Sequence, residues 1–235
     1  DDSVALVFRG EDFVASQVTF AELHAEVSRL AQALRAAGVG PGDRVAAYMT
    51  NIPGIVIAML AAASLGAVFS SCSPDFGVQG VLDRFGQIAP KILFAADGCF
   101  YAGKRIDVID RIAEIARRLP SVQAVVIVPY TQRSPDIARI PKAVDVHEWM
   151  APYRARKIDF AQLAFDHPLY VLYSSGTTGA PKCIVHGAGG TLLQHMKEHV
   201  LHVDVKPGER LFYYTTCAWM MWNWLASALA SEATL

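Results

Sequence analysis

The chain has 235 residues, 53% hydrophobic and 18% charged, with a formal net charge of −1. That is apolar surface enough for one substantial core or two small ones. The near-neutral balance, with no basic run interleaved with aromatics, argues against nucleic acid as a partner. The four cysteines, Cys72, Cys99, Cys183 and Cys217, are widely spaced without a CxxC pair. They read as buried or incidental thiols of a reducing compartment, with the cytosol as default.

In chain order, apolar runs at 4–8 and 44–49 predict strands. Between them Thr19 is a good N-cap, Glu22 completes a capping box, and Phe20, Leu23, Val27, Leu30, Ala31 and Leu34 recur at helical spacing up to a stop at Gly38. The stretch 52–71 nears membrane-span length. Pro53, Gly54, Ser64 and Gly66 interrupt it and no basic residue flanks it closely, so a buried helix (52–64) and a buried strand (67–71) are expected rather than membrane insertion. Helix 77–88 leads to strand 91–95, and helix 105–118 to strand 122–128. Alternation of this kind, with strands apolar on both faces, is the mark of an α/β fold with mostly parallel sheets and helices on both faces.

From 129 to 168 the pattern loosens into short helices and loops, anchored by Trp149, Tyr153 and Phe160. Further strands are expected at 169–173, 183–186 and 210–215, and helices at 190–199 and 219–231. Asp1-Asp2 lacks an initiator Met and Ala233-Thr234-Leu235 reads as a strand just begun, so the expectation is a piece of something longer.

The segment Tyr173-Ser174-Ser175-Gly176-Thr177-Thr178-Gly179-Ala180-Pro181-Lys182 directly follows a strand. Gly176 and Gly179 allow tight or left-handed turns in which N–H groups converge on an anion. The hydroxyls of Ser174, Ser175, Thr177 and Thr178 add donors, and Lys182 adds a full charge. Such a loop suits a polyphosphate that is held and then released as pyrophosphate. The alternative is a solvated Ser/Thr/Gly turn, which the strands on both sides and the Pro-Lys ending disfavour. No Gly-Lys-Ser/Thr follows at P-loop spacing and no helix begins at the lysine, which disfavours an ordinary kinase or ATPase.

The string YSSGTTGAPK closely resembles the phosphate-binding signature of the adenylate-forming acyl-CoA synthetase superfamily. The continuation Cys183-Ile184-Val185-His186-Gly187-Ala188-Gly189-Gly190 resembles its acetyl-CoA synthetase branch. The runs 71–77, 192–199 and 216–224 resemble acetoacetyl-CoA synthetases within that branch. One departure is Ala218, where glycine is expected before Trp219. The resemblance covers the whole chain and implies that residues 1–235 are part of the large N-terminal ATP- and acyl-binding domain, with the rest of that domain and the C-terminal domain outside the chain. It implies ATP with Mg2+, a short-chain acid and coenzyme A as small-molecule partners: an acid oxygen attacks the α-phosphate, and the CoA thiol then displaces AMP. Acetoacetate is the implied acid, with acetate or another short chain as the alternative.

By the same resemblance, Ser174, Ser175, Gly176, Thr177, Thr178, Gly179 and Lys182 bind the ATP phosphates. Trp219, Met220, Met221, Trp222 and Asn223 form the acyl pocket, against the bland reading of an aromatic/Met core stripe. Lys104 and Arg105, at the start of a helix, and Asp75, Phe76 and Gly77 meet CoA, against the reading of ordinary solvated surface. His186 either positions the nucleotide or is a core histidine. No resident metal is expected, and the sequence sets no oligomeric state.

Two readings of other classes compete. His195-Met196-Lys197-Glu198-His199 matches H-x-x-E-H literally, which on a helix puts both histidines on one face for zinc, with Glu198 as base. A non-catalytic binding module is the other.

Overall fold

The computed structural model describes residues 2–11, 14–174 and 179–235. It opens on an antiparallel hairpin of β1 (Val4–Arg9) and β2 (Ala15–Thr19). The polar run of β2 gives little apolar signal, and it is a strand because β1 pairs with it. Helix α1 (Phe20–Ala36) starts with the predicted capping box: the Glu22 N–H donates to Thr19 Oγ1 (3.1 Å) and the Thr19 N–H to Glu22 Oε2 (2.8 Å). It ends where expected, with Gly38 at φ +77° and the Gly38 and Val39 N–H groups donating to the Arg35 and Leu34 carbonyls. This is a Schellman ending, in which a left-handed residue turns the chain out of the helix.

The chain continues through β3 (Arg44–Tyr48), α2 (Pro53–Ser64), β4 (Val68–Cys72), α3 (Val78–Ile88) and β5 (Ile92–Ala96). A second hairpin follows, β6 (Gly98–Tyr101) and β7 (Lys104–Asp107), then α4 (Ile109–Arg118), β8 (Ala124–Val128), β9 (Ala143–Asp145) and the short α5 (Val146–Met150). The last elements are β10 (Pro168–Tyr173), β11 (Cys183–Gly187), α6 (Ala188–Lys197) and α7 (Met220–Ser227).

Seven strands form one sheet in the order β11-β10-β4-β3-β5-β8-β9, parallel throughout except for the β10/β11 pair. Side chains alternate between two cores, as the pleat requires. Val45, Ala47, Ile92, Phe94 and Val126 face α1 and α2, while Ala46, Tyr48, Leu93, Ala95, Val125 and Ile127 face α3 and α4. Helices therefore cover both faces, and the α/β class with a mostly parallel sheet is the one observed. The 52–71 stretch is α2 and β4, both within this core, and among the described residues no helix is long and apolar enough to cross a membrane.

Several expectations need correction. Helix 105–118 begins only at Ile109; Lys104 and Arg105 belong to β7, because Ala102 (φ 52°) and Gly103 (φ 71°) form a two-residue hairpin turn with both central residues left-handed. Among the described residues the strand expected at 210–215 makes one isolated bridge, Arg210 to Thr234, and Phe212 and Tyr214 stand 82% and 89% exposed. Helix 190–199 passes into a π-helical turn at Glu198–His202, and helix 219–231 closes as a 3₁₀ turn at Ala228–Ser231. Of the three anchors expected in 129–168, Trp149 packs edge-on against Phe94 but Phe160 is exposed. Polar groups of α1 also hold that strap: Ser28, Arg29, Gln32 and Arg35 donate to the carbonyls of Arg156, Tyr153, Arg154 and Asp159.

Candidate active site

The parallel strands β3, β4 and β10 all end on one side of the sheet, where open α/β folds bind ligands. There β10 and β11 clasp the Gly/Ser/Thr loop. Below it Tyr173 pairs with Cys183; the Ser174 N–H donates to the Lys182 carbonyl (3.0 Å), and the Lys182 N–H returns to Ser174 Oγ (3.0 Å). Gly179 takes φ +128°, closed to most side chains, and Lys182 is exposed at the rim. Gln87 of α3 donates to the Pro181 carbonyl (2.8 Å) and ties the loop to the helix layer. Ser175, Gly176, Thr177 and Thr178 lie outside the described residues.

Beneath the loop, Ser70 Oγ donates to the Val171 carbonyl (2.9 Å) and lies 3.0 Å from the Tyr173 hydroxyl. Burial pushes that hydroxyl well above its usual range, so it stays protonated. The Arg84 guanidinium lies 4.3 Å from the Phe76 ring centre and 5.8 Å from that of Tyr173, which joins the loop base to segment 75–77. That segment is held by Tyr48, whose hydroxyl donates to the Phe76 carbonyl (3.0 Å), and by Ser73, which donates to Asp75 (2.6 Å). Gly77 caps α3 in an extended conformation. Arg111 of α4 donates to the Pro74 carbonyl (3.3 Å). In the hairpin, Lys104 is exposed and Arg105 pairs with Asp107 at 3.7 Å.

On the far side of β11 an open cleft of about 800 Å³ is lined by Met220, Met221, Trp224, His186 and His195, among others. A smaller cavity of about 170 Å³ behind it touches Tyr170, Asn223 and, again, His195. The predicted acyl residues are thus split. Met220 and Met221 line the cleft. Trp219 is 58% exposed at the start of α7. Trp222 lies outside the cleft, 2% exposed, stacked on Phe69 with its indole N–H donating to Asn51 Oδ1 (2.8 Å). Asn223 lines the smaller cavity, its buried Oδ1 without a hydrogen-bond partner among the described residues.

A family comparison settles what kind of chain this is: residues 1–235 match the model of the AMP-binding enzymes. The chain belongs to the AMP-binding enzyme family. It is 58% identical to the acetoacetyl-coenzyme A synthetase of Rhizobium meliloti over 98% of its own length and 35% of that protein. It is 43% identical to a malonamoyl-CoA synthetase of Penicillium aethiopicum, matching 100% of its own length and 33% of that protein. The solved structure of an acetoacetyl-CoA synthetase from Streptomyces lividans superposes with a TM-score of 0.92 at 46% identity, covering 99% of this chain and 35% of that one. The chain therefore spans about a third of the length of these relatives.

For this AMP-binding family member the zinc reading fails on geometry. His199 Nε2 is taken by the Trp224 carbonyl (2.9 Å) and Ser227 Oγ (3.1 Å). Glu198 turns instead to Gln194 (3.0 Å) and Lys197 (3.1 Å). No cluster of three or more His, Cys, Asp or Glu suited to a metal ion occurs among the described residues. His186 is half-buried, tilted over Tyr170 at 5.4 Å, on the cleft wall. The supporting residues Gln87, Arg84, Ser70 and Tyr48 carry no motif; only strand and helix adjacency brings them to the loop.

Proposed function

We propose that the protein carrying this chain is an ATP-dependent acid–CoA ligase that converts acetoacetate, ATP and CoA to acetoacetyl-CoA, AMP and diphosphate. The observation that carries this reading is the clasped loop at the end of β10, with Ser174 buttressed and Lys182 exposed at its rim, and the Met220/Met221 cleft on the far side of β11. In the first step a carboxylate oxygen of the acid bonds to the α-phosphorus of MgATP as pyrophosphate departs. In the second the CoA sulfur bonds to the acyl carbon and AMP leaves. Neither step needs a protein nucleophile; both need in-line positioning and charge stabilisation. The loop 174–182 fits that need for the phosphates, and magnesium enters with the nucleotide as part of the substrate.

Acetoacetate is preferred over acetate because relatives are named for acetoacetyl and malonamoyl groups. Those two acyl groups share a three-carbon core with a carbonyl oxygen on the third carbon. Met220 and Met221, unbranched and adaptable, suit such a chain. By extension, Asp75–Gly77 and the Lys104/Arg105 hairpin face CoA, residues 1–235 are part of the large N-terminal domain, and the four free thiols suit the reducing cytosol. The full-length protein should use acetoacetate at least about tenfold better than acetate in kcat/KM. Equal or better use of acetate would remove acetoacetate as the substrate, and no acid-dependent pyrophosphate exchange would remove the ligase.

A further inference from the structure

Lys182 can meet a phosphate only where its backbone places it, and that backbone is held from two directions. Ser174 supplies the first: its N–H donates to the Lys182 carbonyl and its Oγ accepts from the Lys182 N–H, both at 3.0 Å. Gln87 of α3 supplies the second. Its Nε2 donates to the Pro181 carbonyl (2.8 Å) and to the Asp83 carbonyl of its own helix (2.6 Å), while its Oε1 lies 3.5 Å from the Cys183 thiol. Two carbonyl acceptors fix which end of the amide carries the nitrogen. One side chain thus touches the residues on both sides of Lys182. Proline has no N–H, so its carbonyl is the one backbone group through which Pro181 can be hydrogen-bonded. Gly179 and Ala180 before it are exposed.

Gln87 is not needed to finish its own helix. Arg44 does that, donating to the Ile88 carbonyl (2.6 Å) and the Ala89 carbonyl (3.2 Å). Val81 and Phe85, both fully buried, anchor α3 in the core, and Gln87 itself stands at the exposed surface. Resting on the ligase reading above, we propose that Gln87 is a positioning residue for acyl-adenylate formation. It fixes the Pro181–Lys182 backbone against the core-anchored α3, so that the Lys182 ammonium is in place as negative charge develops on the departing pyrophosphate. A charge helps the reaction only where it is aimed, and a displacement of about 1 Å can cost about 10²-fold. Once pyrophosphate has left, Lys182 has no phosphate chain to meet, so thioester formation does not depend on Gln87.

The test uses the full-length protein and Gln87→Met, which keeps an unbranched side chain of similar length and removes its N–H. Acid-dependent pyrophosphate exchange at saturating ATP should fall about tenfold or more, with the KM of the acid unchanged. Thioester formation from supplied acyl-adenylate and CoA should stay within about twofold of wild type. In a Lys182→Ala background the same change should cost less than about twofold, because no ammonium is left to misplace. Exchange at the wild-type rate in Gln87→Met overturns the proposal. So does an undiminished loss in the Lys182→Ala background, which would put the effect somewhere other than Lys182. An equal fall in both steps also overturns it, since that marks a general weakening of the fold. These three outcomes leave the ligase reading standing, whereas a wild type without acid-dependent exchange overturns both.

Discussion

Lys182 carries the one full positive charge of a loop whose base is closed by its own backbone and Ser174. Its side chain is exposed, so Lys182→Ala should leave the fold intact while slowing pyrophosphate exchange in the full-length protein about 10²–10³-fold, the scale of one preorganised donor. Exchange at the wild-type rate would take the loop out of the reaction. His195 makes a different prediction. Its folded value, about 4, lies below the ordinary 6.5 because burial disfavours the cation, so the unfolded chain binds the extra proton first as pH falls. The stabilisation is therefore complete above pH 6.5 and lost progressively down to about 4. His199, lowered for the same reason, adds in the same sense. Between pH 7 and 5 this amounts to about 1–2 kcal/mol for His195. Denaturant midpoints should fall less steeply over that range in His195→Phe than in wild type, and parallel slopes would show that the ring is not buried neutral.

Among the elements, the hairpin β6–β7 depends on a single small residue. A Cβ on Gly98 would sit 2.6 Å from the Ile106 carbonyl oxygen and 2.9 Å from the Thr131 side chain. Asp97, beside it and fully buried, accepts from the Tyr130 N–H (2.6 Å) and the Thr131 hydroxyl (2.6 Å), so the backbone cannot easily step aside. Gly98→Ala should cost about 1–3 kcal/mol and raise hydrogen exchange at residues 98–107 while the sheet stays protected. Unchanged exchange there would mean that the hairpin is not held at this point. The capping box at Thr19 and the helical stop at Gly38 were legible from residue types alone, because each is a local hydrogen-bond pattern. The hairpin was not, since Lys-Arg-Ile-Asp joins smoothly onto a helical pattern and only the turn at Ala102-Gly103 separates them.

In the whole molecule, segments far apart in the chain are locked together at the ends of β3 and β4. Ser71 Oγ donates to the Cys217 carbonyl (2.6 Å), the Cys217 thiol to the Met49 carbonyl (2.9 Å), and Trp222 to Asn51 (2.8 Å). These contacts set the start of α7 and with it the methionine wall of the cleft. Ser71→Ala leaves the Cys217 carbonyl without that partner and should destabilise by about 1–3 kcal/mol, read from chemical denaturation. A midpoint equal to wild type would mean that the lock is dispensable. The sequence by itself determined the alternation of strands and helices, the caps and the burial of 52–71, because periodicity, capping and glycine placement act over a few residues. Only the tertiary structure decided that β10 lies beside β4, that Trp222 is core and Met221 is wall, that 210–215 keeps a single isolated bridge among the described residues, and that His199 Nε2 bonds to the Trp224 carbonyl. Those outcomes depend on which surfaces meet between segments separated in the chain, and no local pattern records that.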